Sequence, residues 1–336
     1  MNFENKNVLI IGGTGSIGSR LLLEVFKQNP RVIRIFSRDE YKQFELMHSL
    51  GINENNPKIR FLLGDVRDKD RLTRAMNEVD IVFDLAALKH VPSCEYNPFE
   101  AVETNVIGTQ NVIDAAIRNN VEKVVYTSSD KAISPTNTMG ATKLLAERLI
   151  ASTDYSKGKS RTVFSAVRFG NVMGTRGSVI PLFKQQILKY KHVTLTKKDM
   201  TRFMMSIGQA VDLIIKAADN SVGGEIFVLK MPVIKLEDLV HAIIDLMCEK
   251  YSINSSEVRI KEIGLRPGEK MYEELMTEQE ATQATEHEGF FTIFPPHKLP
   301  VISVNPISKT KAYRADQYTP ISRDEIKEIL LKEDLI

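Results

Sequence analysis

An acid and an amine at adjacent positions are the strongest candidates for chemistry in this sequence. Asp130 and Lys131 follow the apolar residues 124–127, which predict a buried strand. A neighbouring carboxylate and amine can serve as general acid and general base, and each shifts the pKa of the other. A solvated surface ion pair is the alternative interpretation, and it is disfavoured because the pair follows a buried strand. We therefore expect a catalytic site here.

A predicted helix carries further candidates just after that pair. Pro135 and Asn137 interrupt the strand, and residues 139–150 have apolar side chains at helical spacing. Met139 and Lys143 are four residues apart, so they share one face of this helix. Met139 has no proton to give or take, so it cannot transfer one, whereas Lys143 can.

The overall composition excludes several classes of protein. With 336 residues, the chain exceeds what one core serves comfortably (about 250 to 300 residues), which predicts a main domain and a smaller lobe. The formal net charge of +2 gives no reason to expect nucleic acid or an anionic membrane as a partner. Cys94 and Cys248 lack metal-site spacing, so we expect buried thiols and no metal site. No signal peptide or long apolar run is evident, which predicts a soluble cytoplasmic protein.

A strand, a glycine-rich turn and a helix open the chain. Residues 8–11 form an apolar strand of the parallel-sheet kind, residues 12–18 are rich in glycine, and residues 19–26 are amphipathic. Such a turn lets a pyrophosphate approach the helix N-terminus, where unpaired N–H groups and the helix dipole favour negative charge. An ordinary loop is the alternative. The expected cofactor contacts are Gly12, Thr14, Gly15, Ser16 and Ile17.

The end of the second predicted strand favours one form of the cofactor. Residues 32–36 are apolar except for Arg34, and Ser37, Arg38 and Asp39 follow them. They come roughly 20 residues after the glycines, where the adenosine ribose of a dinucleotide is usually bound. Ser37 and Arg38 offer donors suited to a 2′-phosphate, so we expect NADP, with NAD left open. Arg38 as a solvated surface charge is the alternative, and Lys42 completes the predicted group.

Another buried strand is predicted at residues 81–87; it ends in small residues, and two polar residues follow it. Ala86 and Ala87 would let a cofactor lie close to the backbone, and Lys89 and His90 come at the carboxyl end, where open α/β sheets bind ligands. A structural hydrogen-bonding role is the alternative for His90. The alternation of strands and helices, without an internal repeat, predicts an α/β fold with a doubly wound parallel sheet of the Rossmann type.

The pattern loosens near residue 176, which predicts two interleaved parts. We expect a nucleotide-binding domain at 1–176 with a return segment at about 203–232. A smaller substrate-binding lobe and a C-terminal tail would comprise 177–202 and 233–336, with a polar interruption at 199–203. Such a lobe would hold a diphosphate with Arg and Lys side chains and a ribose with a carboxylate.

Eight short motifs between about positions 6 and 275 together resemble a known family. They are GGTGSIG, SRDEYKQ, AALKHVP, SSDKA, MGATK, VRFGNVMGTRGSVIP, DMTRF and GLRPGEK. This set is similar to that of the soluble UDP-N-acetylglucosamine 4,6-dehydratases, a branch of the extended short-chain dehydrogenase/reductases that serves bacterial polysaccharide biosynthesis. The resemblance implies oxidation of the sugar at C4, elimination of water across C5 and C6, and return of the hydride to C6.

The resemblance also implies a role for individual residues. Asp130 would protonate the departing C6 hydroxyl, and Lys131 would be the base at C5. Lys143 would hold the nicotinamide ribose, Ser129 would hydrogen-bond near the sugar O4, and Asp65 would meet the adenine amino group. The remaining implied cofactor contacts are Val66, Ala86, Ala87, Lys89, Asn105 and Lys143. The implied substrate contacts are Lys89, His90, Asn171, Ser178, Val179, Thr196, Met200, Arg202, Arg266 and Glu269.

Met139 stands where most members of that superfamily have a tyrosine, which removes a proton from the sugar hydroxyl as the hydride leaves. Without the tyrosine, Asp130 would take the C4 hydroxyl proton, through a water held by Ser129 or Thr127, before it acts as the acid at C6. We expect retention of configuration at C5, with inversion left open.

Three alternatives to a retaining dehydratase follow from the same residues. A C5-inverting dehydratase and a 4-epimerase are enzymes; a non-catalytic dinucleotide-binding regulator is not, and it would have no need of Asp130 and Lys131. The nucleotide of the sugar donor, UDP or GDP, is open, although the resemblance favours a UDP-sugar. Apolar helix faces near residues 98–118 and 139–152 predict a homo-oligomer, a dimer or a hexamer.

Overall fold

The computed structural model describes residues 1–52, 56–295 and 311–336, and strands are distributed along all of them. In chain order the strands are β1 (Asn7–Ile11), β2 (Val32–Ser37), β3 (Ile59–Leu63), β4 (Ile81–Asp84), β5 (Lys123–Thr127), β6 (Val163–Arg168), β7 (Asn171–Val172), β8 (His192–Leu195), β9 (Thr201–Met205), β10 (Ile226–Leu229), β11 (Val233–Lys235), β12 (Arg259–Glu262), β13 (Glu274–Met276), β14 (Ala284–Glu286), β15 (Phe290–Ile293) and β16 (Tyr313–Arg314).

Helices connect most of these strands. They are α1 (Ser16–Phe26), α2 (Glu40–Ser49), α3 (Lys69–Ala75), α4 (Val91–Tyr96), α5 (Pro98–Val102), α6 (Gly108–Arg118), α7 (Thr138–Ser156), α8 (Val179–Tyr190), α9 (Ile207–Asn220), α10 (Leu236–Tyr251), α11 (Glu278–Ala281) and α12 (Arg323–Lys332). A π-helical turn, Glu103–Ile107, joins α5 to α6, and a 3₁₀ turn, Asp130–Ala132, follows β5.

A nine-stranded sheet in the order β14-β15-β10-β6-β5-β4-β1-β2-β3 forms the centre of the described residues. The seven strands from β10 to β3 run parallel, whereas β15 and β14 are antiparallel additions at one edge. Strands such as β1 and β5 are apolar on both faces because helices cover both sides of a parallel sheet. The predicted doubly wound fold is confirmed, and its strand order reverses between β1 and β4, where such sheets bind ligands.

A second apolar cluster lies apart from the sheet and includes side chains of α8, α10 and α12. Three small sheets accompany it in the described residues: β11-β9-β7, β12 with β8, and β13 with β16. The charged C-terminal tail forms α12, and its apolar side chains Ile326 and Leu330 are fully buried in this cluster. Across the described residues, each helix is too short or too polar to cross a membrane.

The polar interruption predicted at 199–203 is wrong, because strand β9 occupies most of it. Phe203 is fully buried in β9, and β9 pairs with β7 and β11. Arg202 tolerates burial in this strand because its guanidinium donates to the backbone carbonyls of Lys270 and Met271, at 2.8 and 3.1 Å. Arg202 is therefore a strand residue that bonds to a neighbouring loop, and it does not interrupt the strand.

The predicted division into two parts differs from the structure at one place. Strands β14 and β15, which we assigned to the smaller lobe, extend the large sheet beside β10. Strand β10 itself pairs parallel with β6, so the chain returns to the sheet within the expected segment 203–232. Residues 296–310 of the predicted lobe lie outside the described residues. The remaining boundaries stay a prediction.

Candidate active site

A cavity of about 1280 Å³ opens at the carboxyl ends of the parallel strands. It is lined from the sheet side by the glycine turn and the ends of β2, β4 and β5, and from the other side by residues 170–180 and 266–273. All the predicted site residues except Asn105, Thr196 and Met200 line it. The lining includes Gly12, Thr14, Gly15, Ser16, Ile17, Ser37, Arg38, Asp39, Lys42, Asp65, Val66, Ala86, Ala87, Lys89, His90, Asn171, Ser178, Val179, Arg202, Arg266 and Glu269.

The glycine turn packs closely against the backbone at the end of β4 and lines the cavity. Gly12 has a φ of +73°, and a Cβ there would lie 2.9 Å from the backbone nitrogen of Ala86. Another residue type would therefore be strained at this position. Helix α1 begins directly after the turn, at Ser16, so its unpaired N–H groups and dipole lie beside the cavity. The turn has the geometry of a pyrophosphate cradle.

Arg176 lies against this turn, and sequence reasoning missed it. Its backbone N–H donates to Ser16 Oγ at 3.2 Å, and its guanidinium donates to the carbonyl of Thr14. Lys89 Nζ in turn donates to the Arg176 carbonyl at 3.0 Å. Residues after β7 therefore reach across the mouth of the cavity beside the glycine turn. The two contacting positions are 160 residues apart, so no local sequence pattern reveals the contact.

Two cations lie at the end of β2. The Arg38 side chain is 56% exposed, and Lys42 Nζ pairs with Asp39 at 2.7 Å. Asp39 also caps α2 by accepting the Lys42 backbone N–H at 3.0 Å. The Ser37 hydroxyl is held by Gln43 Nε2 at 3.2 Å. Arg38 and Lys42 thus lie at this end of the cavity beside the carboxylates of Asp65 and Asp39.

Asp65, at the end of β3, faces the same end of the cavity. Its carboxylate pairs with Arg67 at 2.9 Å and lies 3.6 Å from Arg38. Burial raises the pKa of Asp65, but the hydrogen bonds and charge of Arg67 outweigh that effect and leave the pKa below its usual value. Asp65 is therefore an ionised acceptor at neutral pH.

Asp130 and Lys131 meet in the 3₁₀ turn that follows β5. Lys131 Nζ donates to Asp130 Oδ1 at 3.1 Å, and Ser129 Oγ donates to the same oxygen at 2.7 Å. Asp130 is 1% exposed, so the surface ion pair that we weighed is wrong. Its other oxygen, Oδ2, is buried and has no hydrogen-bond partner within the described residues. An unpaired buried carboxylate oxygen is costly unless a ligand or a proton satisfies it.

Glu273, just before β13, is the second group that sequence reasoning missed. Its Oε1 lies 3.5 Å from Lys131 Nζ and 3.8 Å from Arg202 Nε, and its side chain is 5% exposed. Burial and the charge of Asp130 raise the pKa of Glu273. Burial lowers the pKa of Lys131, but the charges of Asp130 and Glu273 outweigh it and leave the pKa above its usual value. Lys131 therefore carries a proton at rest.

Lys143 is buried one helix turn after Met139, as the helical spacing predicted. Its Nζ donates to the Thr127 carbonyl at 2.8 Å and lies 4.7 Å from the centre of the Tyr126 ring. Burial lowers the pKa of Lys143 to about 8, and burial raises the pKa of the nearby Asp84 to about 6. The Asn137 side chain caps helix α7 by accepting the Gly140 N–H at 2.8 Å. This cap fixes the start of the helix and hence the position of Lys143.

Met139 packs in a small apolar cluster with Cys94 and Ala101 and is 3% exposed. It also lines the cavity, so a side chain without a proton occupies this part of the wall. Glycine at position 140 lets the start of α7 pack directly on the 3₁₀ turn Asp130–Ala132, because a Cβ there would overlap the carbonyl oxygen of Lys131. The cavity wall is therefore continuous from the turn to the helix.

The three predicted site residues outside the cavity lining have structural contacts instead. Asn105 is buried in the π-helical turn, where its Oδ1 accepts the Leu88 N–H at 2.8 Å and its Nδ2 donates to the Leu88 carbonyl and to Thr142 Oγ1 at 3.0 Å. It positions the segment that carries Lys89. Met200 is buried in the second apolar cluster, 3.5 Å from the Thr196 hydroxyl.

The other half of the cavity carries charged groups from the loop at 266–270 and from strand β9. Glu269 accepts the Arg266 backbone N–H at 3.1 Å and lies 3.7 Å from Arg202. Lys270 Nζ donates to the Ile133 carbonyl at 2.8 Å, which connects this loop to the residue after the 3₁₀ turn. A mixture of guanidinium, ammonium and carboxylate groups can hold a diphosphate and a sugar hydroxyl.

The fold and this site define a nucleotide-binding protein of the extended short-chain dehydrogenase/reductase type. Residues 8–295 match the model of the family described as polysaccharide biosynthesis protein, and the chain belongs to that family. A UDP-N-acetylglucosamine 4,6-dehydratase (inverting) of Campylobacter jejuni is 42% identical over 88% of this chain and 85% of the relative, which confirms the family predicted from the motifs.

Other similar proteins have different names. An uncharacterised membrane protein of Methanocaldococcus jannaschii is 54% identical over 87% of each chain, and a UDP-glucose 4-epimerase of Rickettsia felis is 40% identical over 99% of this chain and 98% of the relative. Among solved structures, Pen from Bacillus thuringiensis is 52% identical, with a TM-score of 0.92 over 99% of both chains. The Streptomyces venezuelae dTDP-glucose 4,6-dehydratase DesIV, 20% identical with a TM-score of 0.69 over 79% of this chain and 86% of its own, shares the fold.

Proposed function

We propose that this protein is an NADP-dependent UDP-N-acetylglucosamine 4,6-dehydratase whose product is a UDP-4-keto-6-deoxy-N-acetylhexosamine. The observation that carries the proposal is the buried Asp130 carboxylate, bonded to Lys131 and facing the same cavity as the glycine turn. A family relative with 42% identity carries this activity in its name. An acid, an amine and a dinucleotide cradle in one cavity are what the reaction requires.

The chemistry assigns each group a separate step. Loss of water across C5 and C6 is slow until a ketone at C4 makes the C5 proton acidic. The nicotinamide, when bound, accepts the hydride from C4 and later returns it to C6. Asp130 takes the proton of the C4 hydroxyl and then delivers it to the departing C6 oxygen, while Lys131 takes the proton from C5. Retention at C5 follows if Lys131 returns the proton to the face from which it came.

The residues present fit a nicotinamide dinucleotide. The glycine turn, which lines the cavity, and the start of α1 suit the pyrophosphate. The Lys143 amine, held at the end of β5 by the Thr127 carbonyl, would hydrogen-bond the nicotinamide ribose. Arg38 and Lys42 support NADP, because two cations at the end of β2 would pair with a 2′-phosphate.

Charged groups of the outer loops support a UDP-sugar as the substrate. Arg266 and Lys89 line the cavity and would contact the diphosphate, and Glu269 would accept hydrogen bonds from the ribose hydroxyls. Arg202 donates to two loop carbonyls, so its contribution includes fixing the loop that carries Arg266. Incubation with UDP-N-acetylglucosamine and NADP, followed by mass spectrometry, tests the proposal: the product must weigh one water less than the substrate.

A 4-epimerase is the second candidate, because the Rickettsia relative with that name matches 99% of this chain. An epimerase returns a product of unchanged mass, so the same experiment separates the two activities. Proton NMR of the product formed in deuterated water then separates retention from inversion at C5. A non-catalytic regulator, the remaining alternative, would give neither product.

We also propose that the protein self-associates through α4, α5 and α7. Large apolar side chains on these helices face solvent: Tyr96 and Phe99 are 88% and 68% exposed, and Leu145 and Tyr155 are 50% and 67% exposed. Exposed apolar surface of this kind marks protein–protein contacts. Analytical ultracentrifugation gives the oligomer size.

A further inference from the structure

The protonation state of Lys131 conflicts with the role of a base. An amine must be neutral to accept a proton, yet Lys131 lies 3.1 Å from Asp130 and 3.5 Å from Glu273, and both carboxylates favour its charged form. Lys131 therefore needs an acceptor for its own proton before it can act at C5. This argument rests on the dehydratase proposed above.

Asp130 is unsuited to be that acceptor. In the proposed reaction it must keep the proton from the C4 hydroxyl until the C6 oxygen departs, so it cannot also store a proton from Lys131. Within the described residues, Glu273 is the other carboxylate paired with Lys131. Its Oε2 is buried without a hydrogen-bond partner there, and the side chain lines the cavity.

Charged groups from three parts of the chain surround this pair and act on Glu273 in both directions: burial and Asp130 raise the pKa of its carboxyl, whereas Lys131, Arg202 and Lys270 lower it. Asp130 and Lys131 come from the turn after β5, Arg202 from β9, and Glu269, Lys270 and Glu273 from the loop before β13. When Asp130 takes the C4 proton, its negative charge disappears, and the ammonium of Lys131 loses its nearest anion. The proton of Lys131 is then held by Glu273 alone, a carboxyl whose pKa burial has already raised.

We propose that Glu273 is the proton store of Lys131. After C4 oxidation, one N–H bond of the Lys131 ammonium breaks and an O–H bond forms on Glu273, which leaves a neutral amine. The amine then removes the C5 proton as the C6 oxygen leaves with the proton of Asp130. When Lys131 returns a proton to C5, Glu273 returns its proton to Lys131. The 3.5 Å gap between Lys131 Nζ and Glu273 Oε1 exceeds a good hydrogen bond, so a small side-chain rotation must close it.

The first test measures Lys131 without turnover. Amine acetylation at a series of pH values, read by mass spectrometry of the Lys131 peptide, reports the pKa of this side chain. Glu273→Gln should shift the labelling midpoint down by about one pH unit or more, because one nearby anion is lost. Glu274→Gln, a change at the neighbouring residue outside the cavity lining, should leave the midpoint unchanged. Equal midpoints for Glu273→Gln and the wild type would overturn the proposal.

The second test measures the two half-reactions with UDP-N-acetylglucosamine. Glu273→Gln should still form reduced cofactor, but its release of water should be slower by about 100-fold at pH 7. That rate should rise about tenfold per pH unit toward the labelling midpoint of the variant, while the wild-type rate stays flat. Glu273→Asp should recover part of the rate without the pH dependence. If Glu273→Gln does not fold, Glu273→Asp replaces it in this test.

The outcomes separate this inference from the proposed function. If the wild type releases no water, the dehydratase assignment fails, while the labelling midpoints still decide whether Glu273 controls the charge of Lys131. If the wild type is active and Glu273→Gln eliminates water at the same rate and with the same pH profile, Glu273 is not the proton store. A variant that loses C4 oxidation and cofactor binding together would indicate a structural role and overturn the proposal.

Discussion

Lys143 Nζ and the Thr127 carbonyl oxygen are 2.8 Å apart, a hydrogen bond that joins helix α7 to the end of strand β5. The lysine is buried at this junction, beside Tyr126 and Asp84. A buried ammonium with one carbonyl acceptor leaves two of its three donors for a ligand. This hydrogen bond therefore orients the Lys143 amine toward the cavity.

The lowered pKa of Lys143 predicts a pH-dependent cost to stability. The folded-state pKa is about 8 against 10.5 for the free side chain, so the unfolded chain binds more protons between these values. Stability should therefore rise with pH across this window, and the cost, about 3 kcal/mol, is fully present below pH 8. Urea unfolding of Lys143→Met and wild type should show a difference in free energy that changes between pH 7.5 and 10. An exposed control, Lys198→Met, should show none.

Cofactor preference should depend on Arg38. The wild type is expected to bind NADP more tightly than NAD by about 1.5 to 3 kcal/mol, the value of one charge-assisted contact. Arg38→Ala should erase most of that preference, whereas Arg20→Ala, on the exposed face of α1, should keep it. Calorimetric titration with both dinucleotides measures this preference. Equal or tighter binding of NAD by the wild type would refute the assignment of NADP as the cofactor.

Separate removal of the acid and the amine should stop the reaction at different stages. Lys131→Ala should still oxidise C4 and then stall, so the near-ultraviolet absorbance of reduced nicotinamide accumulates after mixing with substrate. Asp130→Asn should lose both oxidation and elimination, since Asp130 acts in both. Stopped-flow absorbance distinguishes these cases. Normal dehydration by either variant would remove that residue from the mechanism.

Met139 is expected to be chemically silent. Met139→Leu should retain most of the turnover and cost less than about 1.5 kcal/mol of stability, because a similar volume fills the cluster with Cys94 and Ala101. Met139→Tyr would put a phenol one helix turn from Lys143, at a buried position shaped by a thioether, and should unfold at a lower temperature. If Met139→Leu were folded, cofactor-loaded and as inactive as Asp130→Asn, Met139 would have a direct role.

The buried group formed by Arg168, Glu147 and Glu280 predicts a large loss of stability. Arg168 is fully buried and pairs with Glu147 of α7 and, at 3.0 Å, with Glu280 of α11. Glu147→Ala should destabilise the protein by about 3 to 5 kcal/mol, because it leaves part of a buried charge unpaired. Thermal unfolding measures the loss. The control variant Glu328→Ala, on the exposed side of α12, should have a melting temperature close to that of the wild type.

Local patterns were sufficient for the elements that carry the cofactor end of the site. The apolar run of β1, the glycine turn and the helical spacing of Met139 and Lys143 each depend on neighbours within a few residues. Strand β9 escaped prediction because Arg202 breaks its apolar pattern, and the carbonyls that satisfy this charge are almost 70 residues away. Glu273 lies more than 140 positions from Lys131 and follows no motif that signals a partner. Contacts at such separations arise from the packing of the two halves of the cavity.

Strands β14 and β15 lie at the edge of the large sheet although the segment that precedes them builds the opposite wall of the cavity. The chain thus leaves the sheet, forms the outer wall and returns to cover β10. A protein cut after residue 232 would expose the unpaired N–H and C=O groups of β10 as an open edge, a template for aggregation. The outer wall and the sheet consequently depend on one another for stability.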